Sequence, residues 1–348
     1  MSSVRAVPET QDMHGDELSA EDAWHTARRV GLWALLADSF TRFRYGDGFS
    51  HARAFALQLA LATVPLIIAR SGLAGAIGAD SVAEVVARTV VAVSPGAGDQ
   101  LLADVVDRGT NAPRPATPGE EPDDEVDRPG ESLGEAAVAF GLVTAFLAMT
   151  SAFAQLERGA NRIYGTERDR PVLRKYARAA TLTLTAGAAL GVGLVLIVAG
   201  GPFGTALEEV YRWGDAAETV WDVVRWPVGL AALVLAVTLL FRHAPRRRQP
   251  GLSWLALGAG LTVGLWLAAS GVLALYVAVA AGFSETYGPL AGIMVLLLWA
   301  TVTGVALLLG VAVSAQLEAV RAGVDDPLLP DADADGIPDQ LQPAAPEA

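Results

Sequence analysis

Carboxylates recur at every second position near the end of the chain, just before a glycine. The alternating carboxylates are Asp331, Asp333 and Asp335, which precede Gly336, and Asp339 follows four residues after Asp335. Alternating carboxylates followed by a glycine turn suit Ca²⁺, which takes about six to eight oxygen ligands. The series departs from an EF-hand because Gln342 stands where a bidentate glutamate is needed. The pattern therefore leaves two hypotheses, a calcium site and a solvated acidic tail.

The other residue types that support catalysis are scattered along the sequence. The four histidines, at His14, His25, His51 and His243, lack the spacing of a metal site. The chain has no cysteine, which excludes disulfides and thiolate metal sites. It also has no phosphate-binding loop and no G-x-S-x-G motif. We expect no enzyme activity, and no cofactor apart from the calcium ion of the first hypothesis.

Positive charge is concentrated in two short loops. Residues 157–178 hold seven basic side chains against three acids, and residues 242–250 hold four arginines and no acid. Short arginine-rich loops stay in the cytoplasm. Two explanations of their charge remain: the topology signal alone, or a surface that binds anionic lipid head groups. The candidate contact residues, two of them outside these loops, are Arg70, Asn161, Arg162, Tyr164, Arg170, Arg246, Arg247 and Tyr287.

Six apolar segments must position these loops. They lie at about residues 51–75, 134–156, 179–203, 226–241, 252–283 and 287–315. A helix needs about 20 apolar residues to cross a hydrocarbon core, and the fourth segment barely reaches that length. Apolar residues make up 52% and charged residues 18% of the chain, against about 25% charged in an average soluble protein. The sequence predicts an all-α, polytopic membrane protein of six spans with both termini in the cytoplasm.

Four further segments flank or interrupt these spans. Residues 1–22 and 321–348 are acidic, and we expect both to be disordered. Residues 23–45 predict an amphipathic helix that lies either on the membrane surface or on the protein's own cytoplasmic face. The membrane domain covers residues 46–320 and includes a long acidic outer loop at 76–133, rich in proline towards its end.

The interior of the predicted spans is almost free of charge. Side chains of the Asp, Glu, Lys, Arg and His types occur there only near the ends, at His51, Arg53, Arg70 and Glu135. Ion-coupled transporters usually carry such groups within the membrane, so a proton-coupled mechanism is disfavoured. Glycines four residues apart predict close helix packing; the pairs are Gly187 and Gly191, Gly260 and Gly264, and Gly288 and Gly292.

The last span carries a family resemblance. Tyr287 to Trp299, followed by Leu308-Leu309-Gly310, resembles the last span of the YihY/virulence factor BrkB family of bacterial inner-membrane proteins. Similar residues occur upstream at Pro65, Asn161 to Gly165, Arg170-Pro171, Ala244 to Arg247, Trp266 and Tyr276. The resemblance covers about Trp24 to Ala319 and implies six membrane helices with cytoplasmic termini. It does not imply the ribonuclease BN activity of the family's older label, because nothing nuclease-like occurs in this sequence.

The chain departs from that family in its last helix. The family typically continues Gly-Ala-Glu-Leu-Asn-Ala, whereas this sequence has Ala312 and Ser314 in place of the glutamate and the asparagine. If the family's activity needs that carboxylate, this chain has lost the activity or works differently.

Three classes of function remain, in the bacterial plasma membrane and with membrane lipids as partners. The first is a transporter or flippase of a lipid or other amphiphile, which we favour. The second is a non-transporting scaffold or envelope-integrity protein that docks partners on its acidic segments, and the third is an enzyme. We leave open a homo-oligomer and expect no nucleic-acid partner, because the net charge is −13.

Overall fold

The computed structural model describes residues 3–9, 18–76, 129–166, 168–211, 214–279 and 289–330. Within these ranges the regular structure is helical, and strand-like pairing is limited to one isolated β-bridge. The predicted all-α class is therefore confirmed. Tyr287, the four aspartates of the calcium hypothesis and most of the outer loop lie outside the described residues.

Ten α-helices follow one another in the described ranges. They are α1 (Ala20–Val30), α2 (Leu32–Tyr45), α3 (Gly48–Ala76), α4 (Pro129–Ile163), α5 (Val172–Leu182), α6 (Ala188–Leu194), α7 (Gly200–Tyr211), α8 (Asp215–His243), α9 (Leu252–Val279) and α10 (Pro289–Arg321). Two π-helical turns, Thr183–Gly187 and Val195–Ala199, connect α5 to α6 and α6 to α7. The third apolar segment thus continues as a helix through both turns.

Five stretches of the described chain are long and apolar enough to cross a membrane. They are Val138–Ile163, Val172–Val198, Ala216–His243, Leu252–Val277 and Gly292–Arg321, which match the second to sixth predicted spans. The stretch for the fourth span has 28 residues, because α8 begins in a charged segment ahead of the apolar run. The first predicted span falls within α3, which is not among the five.

The chain divides into two compact units where the sequence predicts one membrane domain. Unit 1 comprises Met1–Ala62, Phe146–Leu190 and Leu233–Ala348, and unit 2 comprises Thr63–Ala145 and Gly191–Ala232. The boundaries fall inside α3, α4, α6 and α8. The apolar pattern of a helix indicates how long the helix is, but not which part of the helix packs densely. The sequence therefore does not predict this division.

The segment predicted as one helix over residues 23–45 is two helices, α1 and α2. Gly31 separates them with a φ of +91°, a conformation that glycine adopts without a steric penalty. Ser19 caps α1, because its hydroxyl accepts from the Asp22 N–H and the Asp22 carboxylate accepts from the Ser19 N–H. The hydrogen bond from the Ser19 side chain lowers the pKa of Asp22.

Helices α9 and α10 pack closely within unit 1. A Cβ on Gly310 would collide with Thr262, and a Cβ on Gly258 would collide with Ser314. Two reciprocal hydrogen bonds join the same helices: Trp266 Nε1 donates to Thr303 Oγ1 over 3.1 Å, and Trp299 Nε1 donates to Ser270 Oγ over 3.2 Å. Each partly buried indole N–H thus finds an acceptor on the facing helix.

The glycines predicted to pack helices are mostly not those that do so. A Cβ on Gly191, Gly260, Gly264 or Gly292 would meet no atom of the described chain within 4 Å, and one on Gly187 would only touch Phe153 at 3.5 Å. Gly258 and Thr262 share the face of α9 that meets α10, whereas Gly260 and Gly264 do not. Spacing alone identified a helix face but not the face that has a partner.

Unit 2 contains its own hairpin of helices. Trp221 on α8 donates its Nε1–H to the Gly200 carbonyl over 2.6 Å. Its ring lies 5.8 Å from that of Phe203 on α7, measured between centroids. Gly229 lies against Ile197 of the second π-helical turn. The start of α8 is therefore held to α7 by the Trp221 side chain and by a hydrogen bond from the Thr205 hydroxyl to Glu218 Oε1 over 3.3 Å.

Candidate functional site

Four polar side chains from different elements are enclosed inside unit 1. They are Arg42 on α2, Tyr164 after α4, Arg247 in the loop after α8, and Glu318 near the end of α10. Arg42 and Glu318 are 0% exposed and Tyr164 is 2% exposed, while the Arg247 side chain is 3% exposed. We call these four residues the buried cluster. Charges so fully enclosed are stable only when they are paired and hydrogen-bonded.

Glu318 is the centre of the buried cluster. Its Oε2 lies 3.0 Å from Arg247 Nη2, and its Oε1 accepts from the Tyr164 hydroxyl over 2.8 Å. The Arg247 guanidinium also lies over the Tyr164 ring, 4.5 Å from its centroid. Burial and the nearby Glu318 charge raise the pKa of Tyr164 well above its ordinary value. The phenol therefore keeps its proton and remains a donor to the carboxylate.

Gln249 completes this arrangement from the loop after α8. Its amide oxygen position lies 3.1 Å from the Tyr164 oxygen, yet the single hydroxyl proton is already donated to Glu318. The two ends of an amide are assigned from their neighbours. Turned over, the Gln249 amide would donate its N–H to the phenol oxygen, which gives both groups a partner.

Arg42 reaches the cluster from the opposite helix, α2. Its Nε donates to Gln316 Oε1 over 2.9 Å, and its Nη1 donates to the carbonyls of Arg5 at 2.8 Å and Ile163 at 3.4 Å. Burial lowers the pKa of Arg42 to about 10, so the guanidinium remains charged at neutral pH. Arg42 is therefore held mainly by neutral oxygen atoms.

Residues 3–9, which we call the N-terminal segment, lie on the buried cluster. The Val7 N–H donates to the Tyr164 carbonyl over 3.1 Å, and Arg247 Nη2 donates to the Pro8 carbonyl over 2.6 Å. Val4 forms a bridge with Leu328 beyond α10. These parts of the segments predicted as disordered, 1–22 and 321–348, thus make contacts at Val4, Val7 and Leu328 that acidic composition does not reveal.

A second group of charged residues surrounds the end of α4 and the start of α5; we call it the rim cluster. Its members are Glu157, Asn161, Asp169, Arg170, Lys175 and Arg246. Arg170 Nη1 lies 2.9 Å from Glu157 Oε1, and the same guanidinium donates to the carbonyls of Ala244 and Pro245 over 2.9 and 2.8 Å. The two basic loops predicted from the sequence are therefore joined to each other.

Asn161 and Asp169 extend the rim cluster. Asn161 Nδ2 donates to Asp169 Oδ1 over 3.1 Å, and its Oδ1 accepts from the Arg246 N–H over 2.7 Å. Partial burial raises the pKa of Asp169, but the hydrogen bond from Asn161 and the charges of Lys175 and Arg158 outweigh it, so the net shift is downward. Arg246 Nη1 returns to the Asp169 carbonyl over 2.7 Å.

The structure divides the sequence-predicted contact residues among several places. Tyr164 and Arg247 belong to the buried cluster, whereas Asn161, Arg170 and Arg246 belong to the rim cluster, where they fix loop carbonyls and each other. Arg162 lies half-buried at the end of α4. Arg70 is on α3 with its side chain outside the description, and Tyr287 is outside the described residues altogether.

Sequence reasoning missed four of the buried polar residues. Arg42, Gln316, Glu318 and Glu157 all lie beyond the ends of the predicted spans, where charge is expected and draws no notice. A signal was present for Arg42, because it falls on one helical face with Leu35 and Ser39, and all three are buried. For Glu318, the only sequence signal of burial was its helical register relative to the preceding apolar run.

No metal site is evident among the described residues, in which no group of three or more His, Asp or Glu side chains is arranged to hold an ion. The aspartates of the calcium hypothesis are beyond that description. The arrangement that the structure does show suits binding or positioning of charge, since it offers enclosed guanidinium groups beside one carboxylate.

Comparison with known proteins places these features in a family. The model of a family described as virulence factor BrkB matches residues 39–335, a range that includes all of the buried cluster and the rim cluster. The ribonuclease-like protein YfkH of Bacillus subtilis (strain 168) is 27% identical over 180 residues. That alignment covers 52% of this chain and 65% of YfkH, less than two thirds of its length. No solved structure matches the chain.

Proposed function

Because the chain belongs to the virulence factor BrkB family of membrane proteins, we propose that it is a transporter or flippase of a lipid or other amphiphile. The observation that carries this proposal is the buried cluster. Fully enclosed charged groups are costly, and strongly perturbed ionisable groups cluster at functional sites. Because the rim cluster shows that such pairs also serve structure, the proposal depends on the N–H groups of Arg42 and Arg247 that lack acceptors.

The proposed topology is six spans in the bacterial plasma membrane with both termini in the cytoplasm. The termini support an even number of crossings, since the Arg5 N–H donates to the Pro327 carbonyl over 3.0 Å and the Leu329 N–H donates to the Ser3 carbonyl over 2.9 Å. Five spans would place them on opposite sides, so α3 is the proposed sixth. The positive charge of the two basic loops supports the cytoplasmic side.

We also propose that α1 and α2 lie at the membrane surface. Trp33 is 87% exposed, and Leu32, Leu36 and Phe40 are exposed on the same helix. Arg28 and Arg29 are close in sequence, and Arg28 lies 4.6 Å over the Trp24 ring. Exposed aromatic and aliphatic side chains beside arginines are typical of a helix at a lipid interface.

The scaffold remains the second candidate, and one observation favours it. The start of α5 exposes Val172 and Leu173 at 73% and 83% while Lys175 is buried, an apolar surface at the predicted cytoplasmic edge that a protein partner would also cover. We propose no enzymatic activity for the chain, in keeping with the scattered histidines and the lack of cysteine.

The proposal is tested by lipid flipping in liposomes that contain the purified protein and fluorescent anionic or zwitterionic lipids. We expect flipping above that of protein-free liposomes. A variant without residues 331–348 serves as a control, because a transporter should keep its flux while a scaffold loses its docking tail. Folded protein that flips neither lipid would contradict the proposal.

A further inference from the structure

The buried cluster contains more positive than negative charge. Arg42 and Arg247 are both enclosed, and Glu318 is the one enclosed carboxylate that contacts either of them within the described chain. Arg5 does not alter this excess, because it is partly exposed and lies 3.9 Å from Asp326. Asp38 is only half-buried. An enclosed charge in excess calls for a counter-charge.

The same two arginines hold three of the buried nitrogen donors that lack an acceptor. Arg42 Nη2 and Arg247 Nε and Nη1 are buried without a hydrogen-bond acceptor among the described residues. The contact of Arg247 with the Tyr164 ring, 4.5 Å from the guanidinium carbon to the ring centroid, supplies no acceptor in the guanidinium plane. Each of these Arg247 N–H groups shares one edge of the guanidinium with Nη2, and a pair of N–H groups on one edge matches two oxygens of a phosphate group.

We infer that Arg42 and Arg247 form a binding site for a phosphate-class oxyanion and that the N-terminal segment covers this site. This inference deepens the proposed function, because it names the charged group of the amphiphile that would be bound. The phosphate of a lipid head group and free phosphate share the chemistry. The binding residues are Arg42 and Arg247, and Glu318 opposes binding by its charge.

The N-terminal segment occupies the arginines with neutral atoms. The carbonyl of Arg5 accepts from Arg42 Nη1 over 2.8 Å, and that of Pro8 accepts from Arg247 Nη2 over 2.6 Å. These carbonyls accept hydrogen bonds but cannot neutralise the excess charge. The segment also lies outside residues 39–335 that match the family. Its release would free one further donor on each arginine.

The test measures binding of inorganic phosphate to the full chain by calorimetry, with chloride at equal ionic strength as the reference. A V4S/V7S variant loosens the N-terminal segment, because Val4 and Val7 are its buried side chains. We expect this variant to bind phosphate about tenfold more tightly than the unaltered chain, since two competing hydrogen bonds are lost.

Two substitutions on neighbouring residues identify the site. Arg247→Gln in the loosened variant should abolish phosphate binding, whereas Arg246→Gln, which removes the same charge from the rim cluster, should leave it unchanged. If Arg247→Gln does not fold, Glu318→Gln serves instead and should tighten binding, because it removes the opposing charge. If Arg246→Gln weakened phosphate binding as much as Arg247→Gln does, the assignment of the site to Arg247 would be wrong.

The source of the phosphate is distinguished by competition. Short-chain phosphatidic acid that displaces inorganic phosphate at lower concentration would assign the site to a lipid head group, and failure to displace it would assign free phosphate. The inference would be overturned if phosphate gave no more heat of binding than chloride in both the V4S/V7S and the Glu318→Gln proteins. Flipping measured on the same proteins tests the proposed function separately.

Discussion

The buried cluster and the rim cluster each pair a carboxylate with an arginine, but they differ in what else the arginine touches. In the rim cluster Arg170 serves Glu157 and two loop carbonyls, and its side chain is 16% exposed. In the buried cluster Arg247 is almost completely enclosed and retains N–H groups without acceptors. The contrast is between the two arginines: the hydrogen-bonded guanidinium of Arg170 indicates a structural joint, and the unsatisfied N–H groups of Arg247 indicate a place for a ligand. Lys175 Nζ of the rim cluster also lacks a hydrogen-bond acceptor, but it lies 3.7 Å from Asp169 Oδ2.

The largest effect is expected at the centre of the buried cluster. Glu318→Gln should lower the free energy of unfolding by about 3 kcal/mol, because it leaves two enclosed guanidinium groups without a counter-charge. Glu157→Gln is the matched control and should cost less, since Arg170 keeps both carbonyl acceptors. Thermal unfolding in detergent measures both, and equal losses would erase the distinction between the clusters.

The next effect concerns the joint between the two basic loops. Arg170→Ala should cost about 2 kcal/mol through three lost charge-assisted contacts. It should also expose Arg246, Arg247 and Arg248 to trypsin, because the loop would no longer be held at Ala244 and Pro245. Limited proteolysis measures the cleavage rate, with Arg174→Ala on the exposed face of α5 as the control. Unchanged cleavage would show that the joint does not depend on Arg170.

A smaller effect is expected from the phenol. Tyr164→Phe removes the hydrogen bond to Glu318 while it keeps the ring under Arg247, and should cost about 1–2 kcal/mol. In a double-mutant cycle with Glu318→Gln, the loss of stability in the double variant should be smaller than the sum of the two single losses, because both substitutions remove the same contact. Simple additivity would mean that the hydroxyl and the carboxylate act independently.

The smallest effect is an acid dependence confined to the rim cluster. The folded pKa of Asp169 lies below its ordinary value, so its stabilising contribution is present at neutral pH and is lost as pH falls through that folded pKa. In Asp169→Asn the thermal unfolding midpoint should decrease less as pH falls below about 4, which is the ordinary pKa range of an aspartate. An unchanged acid profile would show that Asp169 contributes nothing to this fall.

The two clusters also differ in how far the sequence revealed them. The rim cluster lies in two loops whose charge is visible, and Asn161, Arg170 and Arg246 are among the predicted contact residues. The buried cluster draws on α2, on the end of α10 and on the N-terminal segment, which are distant in sequence. The family resemblance and the loop charge identified Tyr164 and Arg247 as candidates. They did not predict the contact of these two residues with Glu318.

The fold followed a similar rule. Long apolar runs predicted five of the stretches that can span a membrane, because length and hydropathy suffice for that inference. The break at Gly31 and the packing role of Gly258 depend on which helix face meets a partner. Such contacts are tertiary, and the pattern of one segment does not encode them.

The central claim is that the buried cluster serves transport while the rim cluster supports the fold. Lipid flipping by folded Arg247→Gln and Arg246→Gln proteins, reconstituted at equal amounts, tests this most directly. Both changes remove one positive charge from neighbouring positions. The account predicts that Arg247→Gln flips anionic lipid at least about tenfold more slowly, as expected when a charge-assisted contact to substrate is lost, and that Arg246→Gln flips it at the unaltered rate. Equal rates in the two variants would contradict it.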